Sequence, residues 1–557
     1  MSLQQCQSPT ISPKAYRCPC YDPSSKASRC DPRGSGMLDR IKAMRLREEG
    51  TTVRVTSAAL PRRILFNCQF AWEFGYVEYA LATALRLRGH DVRMIICGAG
   101  LDYCELETRH NRRPTCEVCV QRMLRRMDAF GLPYQVMGQF LTGEDFDYAR
   151  NVSQRMEVAQ LKELVEAGVP VGKLAFLDQF HFFHGYPFEI TGEMEEIFRK
   201  CIASTILFTR AAHRLHDDYR PDMVCSVNGK FAQWAPFVQA ARQRGLPYCT
   251  WEDLRIRTGA VTFASNGIGH EVPVDDIWEQ QLRKPFSEES RHRIRDHFRL
   301  WARGAITPWR YYGEDAIDGP EQVRQALALR PGVPIVSLFP NLCWDSTSVG
   351  FESAFENMYD WVANVVAYAR RRPDWDFVIR AHPGEGKLPL EYRSTTPVGE
   401  FVRDRCGPVP PNVKLIEGDS PLSSYTLGEM SKVVMTYTST LGIEFALRGI
   451  RPWAAARALY GRKGFTVDLV SPQHMFDLLD RNQLDNRLTP EQIESAERFA
   501  HMFRFRKVFS FPRLDDSGNF NPPSWRFFAP GGNDVMDRLC TAFLNHDPFL
   551  DIDARQD

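Results

Sequence analysis

The 557-residue sequence predicts an α/β protein: two Rossmann-like domains facing each other across a cleft, behind a disordered N-terminal tail. Three observations predict it. A chain this long exceeds what one hydrophobic core serves. A strand-helix-strand pattern occurs twice in the first half. A second series of strands and helices begins near residue 333.

Residues 1–58 read as the tail, because Ser, Pro and basic residues dominate and apolar positions are not periodic. Ile64 to Asn67 reads as a short strand. Val77, Ala80, Leu81, Ala84 and Leu85 then repeat at helical spacing. Gly89 stops that helix, and Val92 to Cys97 makes the next strand. The pattern returns as a strand at 222–227, a helix at about 231–244 and a strand at 247–251. A mostly helical stretch, about 117–216, separates the two units, and 270–320 reads as a connection. Parallel strands joined by helices imply a parallel sheet. The second series runs through "VPIVSLFPNLCWDS", a helix near 354–372, "WDFVIRAHP", "PNVKLIEGD" and "KVVMTYTSTLGIEFALRGIRPWAAA". The expected division is 59–310, 311–490 and a helical, then irregular, extension at 491–557.

Lys+Arg and Asp+Glu number 70 and 69, for a net charge of +1, so no global basic field calls for nucleic acid. No apolar run is long enough to span a bilayer. The expectation is a cytoplasmic protein. The basic runs "TRHNRRP" and "RMLRRMDAF" leave peripheral attachment to the inner membrane face open. The 15 cysteines are spread along the chain and make no small-domain disulfide framework.

Ligands of such sheets bind beyond the strand C-termini. Arg380 and His382 stand at one such end, in "FVIRAHPGEG", where Pro383 stops the strand. A forked guanidinium and an imidazolium there suit a phosphate. Their bland alternative is a pair satisfying local carbonyls. Tyr437, Thr438, Ser439 and Thr440 lie between a strand and a helix, where hydroxyls and backbone N–H groups suit an anion. Gly442 allows close backbone approach, and Glu444 could take both hydroxyls of a ribose. Asp345, in "PNLCWDS", could touch base, sugar or nothing.

"RAHPGE", then "TYTSTLGIEFALRGIRP" and "YGRKGFT", resembles the capsule polysaccharide biosynthesis glycosyltransferases, which include bacterial Kdo transferases. The shared pattern is an R-x-H-P strand end, an S-T-x-G-x-E turn and helix, and a downstream Tyr-Gly segment, over about 333–470. The resemblance implies the GT-B arrangement, with 59–310 as acceptor domain and 311–490 as nucleotide-sugar domain. It implies that Arg380, His382, Ser439 and Thr440 hold the donor phosphate, Glu444 the ribose, and that no metal serves catalysis. It favours CMP-Kdo as donor and a glycan or glycolipid as acceptor.

The acceptor hydroxyl needs a base. Glu73, in the first β-α loop, is the candidate, and Glu252 and Asp253 are its rivals. Cys97, Cys104, Cys116 and Cys119 form a candidate structural zinc site, against four unlinked thiols, while Cys18, Cys20 and Cys30 in the tail read as unpaired thiols before metal ligands. The reading is a metal-independent GT-B glycosyltransferase of bacterial surface-polysaccharide assembly. An enzyme like UDP-sugar 2-epimerases and a non-catalytic subunit of an assembly complex are the alternatives.

Overall fold

A computed structural model describes residues 60–69, 75–105, 107–109, 116–254, 260–306, 316–481, 486–511 and 524–553. The tail and Glu73 lie outside the described residues. Two sheets organise the chain.

The first sheet contains β1 (Arg63–Asn67), β2 (Asp91–Ile96), β3 (Tyr134–Val136), β4 (Met223–Val227), β5 (Tyr248–Asp253), β6 (Ala260–Ser265) and, from far downstream, β13 (Phe509–Ser510). Their order is β13-β6-β5-β4-β1-β2-β3. The first five strands run parallel, β6 runs antiparallel to β5, and β13 antiparallel to β6. The second sheet contains β7 (Ile335–Phe339), β8 (Asp376–Arg380), β9 (Val413–Ile416), β10 (Val433–Thr436), β11 (Pro452–Ala454) and β12 (Val467–Asp468). It is wholly parallel, in the order β12-β11-β10-β7-β8-β9. Counted within itself, that is the 3-2-1-4-5-6 order of doubly wound sheets. The chain thus has the two-sheet GT-B architecture.

β4, β7, β8 and β10 are buried at every residue. Helices cover both faces of a parallel sheet, so its strands read as continuous apolar runs. The helix Tyr76–Leu87 is buried at 11 of its 12 positions. The cause is a second layer: helix Asp534–Asn545 lies against it, and Phe543 stacks on Phe66 of β1 with ring centroids 6.1 Å apart. The terminal residues therefore return to the first sheet, as an antiparallel edge strand and a covering helix. The expected helical stretch holds the 27-residue helix Glu193–Tyr219 and the helix Val171–Phe183. It also hides β3, which its few residues did not announce.

The segment "DQFHFFHGYPFE", which contains His181 and His184, joins the two halves. Thr395 donates its N–H to the His184 carbonyl at 2.9 Å, and Tyr186 N–H donates to Thr396 Oγ1 at 2.9 Å. Phe188 stacks on Phe401 at 5.4 Å. Its aromatic rings serve domain packing. No helix among the described residues is long and apolar enough to cross a membrane.

Candidate functional site

The order of the second sheet reverses between β7 and β10, so its crevice opens beyond their C-terminal ends, with β8 alongside. Loops from all three strands meet there. Asn341, after β7, donates from Nδ2 to Thr438 Oγ1, after β10, at 3.3 Å. Asp345 Oδ1 accepts from Thr347 N–H at 2.8 Å and from Thr347 Oγ1 at 2.6 Å. Its negative charge acts on His382, after β8.

His382 Nδ1 accepts the Gly384 N–H at 3.0 Å. A ring nitrogen that accepts cannot carry the proton, so the neutral ring is protonated at Nε2. Burial, and then the Arg380 charge, hold its pKa down at about 4 against the pull of Asp345. The sequence suggested an imidazolium. The structure instead gives a neutral N–H donor.

Arg380 is 1 % exposed and faces the loop after β9. Its Nη1 donates to the carbonyls of Glu417 at 2.5 Å and Ala381 at 3.2 Å, and Nη2 donates to Ser420 at 3.2 Å. The carbonyls take three of its five N–H groups, while the buried Nε has no hydrogen-bond partner among the described residues. The guanidinium holds the 417–420 loop against the strand end, where the backbones of Gly386 and Gly418 touch. Glu385 of the same motif accepts the N–H of Val398 at 3.2 Å, at the start of helix Val398–Arg405. Burial pushes that carboxyl up to about 8, so near neutrality it is protonated.

In the turn after β10, Ser439 Oγ accepts the Leu441 N–H at 3.3 Å, and Thr440 begins the helix Leu441–Leu447. Tyr437 is buried and stacks on Trp361 at 5.9 Å, a core position and not a cleft position. The space at Gly442 is filled by the Tyr460 ring, which any Cβ there would strike. Close approach is thus needed for Tyr460, the tyrosine of the Tyr-Gly segment. Glu444 is buried and accepts from Tyr425 OH at 2.5 Å; burial raises its pKa. Both line a cavity of about 740 Å³, with Arg295, Arg299, Arg303 and Arg448 among its walls. Asn341, Asp345, His382, Ser439 and Thr440 are not among its walls.

From the first sheet, the turn Asn228-Gly229-Lys230 after β4 points across the cleft. Lys230 Nζ donates to the Ser346 carbonyl at 2.5 Å and lies 4.2 Å over the Phe351 ring. Sequence reasoning missed this lysine, although "VNGKFAQW" follows a strand that such folds use for ligands. Glu252 and Asp253 end β5, half-buried, and the Asp253 charge acts on the Tyr76 hydroxyl. Asp178 is fully buried, accepting from Ala232 N–H at 3.3 Å and the Cys201 thiol at 3.4 Å. Burial pushes its pKa to about 7, but it is too enclosed to reach an acceptor.

Among the described residues no group of three His, Cys, Asp or Glu is arranged to hold a metal ion. Cys116 and Cys119 are near enough to Cys97 to reinforce the burial that raises its pKa to about 12. Cys104 turns elsewhere, with its sulfur 3.8 Å from Gln233 Nε2. The four cysteines therefore do not converge as the zinc expectation required.

No protein-family model matches the chain, and no curated protein matches it. Among solved structures it is similar to KpsC of Thermosulfurimonas dismutans, β-Kdo 2,7 transferase. Identity is 14%, coverage is 52% of this chain and 80% of that one, and the TM-score is 0.31. The SnogD glycosyltransferase of Streptomyces nogalater is 14% identical, over 80% of this chain and 96% of that one, with a TM-score of 0.21. The UDP-GlcNAc 2-epimerase of Neisseria meningitidis is 12% identical, over 87% and 100%, with a TM-score of 0.21. Likenesses this distant assign neither activity nor substrate.

Proposed function

We propose that the chain is a GT-B glycosyltransferase that takes a nucleotide-activated sugar at the second sheet and an acceptor at the first. One observation carries this reading. A neutral histidine with its proton on Nε2 stands at the strand ends of a 3-2-1-4-5-6 sheet, beside the Asn341, Asp345 and Thr438 cluster. As the acceptor oxygen bonds to the anomeric carbon, the bond from that carbon to the phosphate oxygen breaks, and its electron pair stays on the phosphate. An N–H donor aimed at that oxygen helps most in the transition state. The Ser439–Thr440 turn would add donors, and Glu444, inside its cavity, would take the ribose hydroxyls. The acceptor proton passes to a carboxylate, for which Glu73, outside the described residues, is proposed, with Glu252 and Asp253 as rivals. No metal takes part in these steps. The motif resemblance favours CMP-Kdo as donor and surface-polysaccharide assembly, at the cytoplasmic membrane face, as setting.

Calorimetric titration with CMP, UDP and GDP, on the wild type and His382→Ala, tests the reading. Binding of one nucleotide, weakened about tenfold or more in the variant, is expected. CMP binding would support a Kdo-type donor, and UDP or GDP binding would move the donor. A folded wild type that binds none of the three would overturn it. Turnover of a nucleotide sugar without any acceptor would mark an epimerase instead.

A further inference from the structure

Resting on the donor site just described, we propose that Lys230 is a second ligand of the donor phosphate, supplied by the first sheet and reaching across the cleft. The residue sits at the switch point of its own sheet, after β4, the neighbour of β1. Its turn is built tightly: Gly229 has φ +75°, and Asn228 Oδ1 accepts the Lys230 N–H at 2.9 Å. This aims the side chain at the 345–351 loop of the other domain, one residue from the aspartate that acts on His382.

An ammonium has three N–H donors. Among the described residues its one hydrogen-bond acceptor is the Ser346 carbonyl, with the Phe351 ring face as a further contact. Glu271, Asp345 and Glu352 act on it only through space. That is thin compensation for removing a cation from water. Burial accordingly lowers its pKa to about 8. A cation kept under-coordinated in a cleft is matched by an anion that is absent between turnovers. The phosphate gains from such a charge, because carbonyls take three of the Arg380 donors and His382 is neutral. Arg457, the other cation acting on Lys230, is 3.2 Å from Glu271 and donates to the Gly350 carbonyl at 3.3 Å. A lysine suits the task, since a flexible point charge can leave one carbonyl for a phosphate oxygen.

The test is calorimetric titration with CMP, UDP and GDP at pH 7 and pH 9, on the wild type, Lys230→Met and Lys230→Arg. The wild type binds one nucleotide, and Lys230→Met weakens it about tenfold or more at pH 7 while its thermal melt stays cooperative. Lys230→Arg retains binding within about fivefold, because its charge persists. Wild-type affinity falls between pH 7 and pH 9, as the ammonium loses its proton, more than that of Lys230→Arg. Should Lys230→Met fail to fold, this pH comparison decides alone. Equal binding by wild type and Lys230→Met, or equal pH dependence of wild type and Lys230→Arg, would overturn the assignment and leave the donor site standing. Wild type that binds none of the nucleotides would overturn both.

Discussion

The Tyr460 hydroxyl donates to the Ser439 carbonyl at 2.9 Å and stands 2.8 Å from Thr436 Oγ1. It thus ties the end of β10 to the turn that begins the next helix. The tyrosine of one motif and the glycine of another, Gly442, are parts of one packing arrangement. Tyr460→Phe removes one of the two donors to the Ser439 carbonyl, the Gly442 N–H at 3.1 Å being the other, and should cost about 0.5–1.5 kcal/mol of stability. Gly442→Ala forces the ring aside and should cost about 1–3 kcal/mol. Urea unfolding measures both. A neutral Gly442→Ala would show that the turn tolerates displacement of Tyr460.

Arg380 is a positioning residue. Arg380→Met removes a donor from each of three carbonyls, of which that of Glu417 keeps the Ser420 N–H, and the expected loss is about 2–4 kcal/mol of unfolding free energy. A variant as stable as wild type that has lost nucleotide binding would return the guanidinium to the phosphate.

The His382 tautomer can be read directly. In protein labelled with ¹⁵N-histidine, Nδ1 should resonate as unprotonated and Nε2 as protonated from neutral pH down to about pH 5, because its pKa is held near 4. The signal missing from His382→Asn gives the assignment. Titration near the ordinary histidine value of about 6.5 would refute the neutral-donor reading.

Glu385 links folding to pH with a definite sign. Its folded pKa is raised to about 8, from an ordinary 4.5, so the native state binds the extra proton. Its contribution to stability is fully present below the ordinary value and is lost as pH rises through about 8. Glu385→Gln stays neutral throughout. It should match wild type near pH 5 and be the more stable protein near pH 9, by about 1–3 kcal/mol. Parallel stability curves for the two proteins would contradict this.

Phe543 belongs to the core of the first sheet, although it lies hundreds of residues from β1 in sequence. Phe543→Ala should cost about 3–5 kcal/mol, through the cavity it leaves beside Phe66. Chemical denaturation checks it; a cost below about 1 kcal/mol would mean that the terminal helix is only loosely applied.

Much of the fold was written locally. Short apolar runs marked β1, β2, β4, β5 and the strands of the second sheet up to β11, helical spacing marked the helix after β1, and glycine marked its end. Short or edge elements were not legible. β3, β12 and β13 hold two or three residues each, too few for any period to show. β6 pairs antiparallel to β5, which turn chemistry did not announce.

The sequence by itself determined that two parallel sheets form, and that the R-x-H-P and S-T-x-G-x-E segments fall at strand ends. Those are properties of neighbouring residues. Tertiary structure decided what each side chain meets. Arg380 takes carbonyls about forty residues away, Gly384 sets the His382 proton, and Lys230 crosses to Ser346, 116 residues distant. The return of Phe509–Ser510 and Asp534–Asn545 to the first sheet was decided there too. The physical reason is common to all of them: a buried polar group or an apolar face must find a partner, and packing in three dimensions chooses which one.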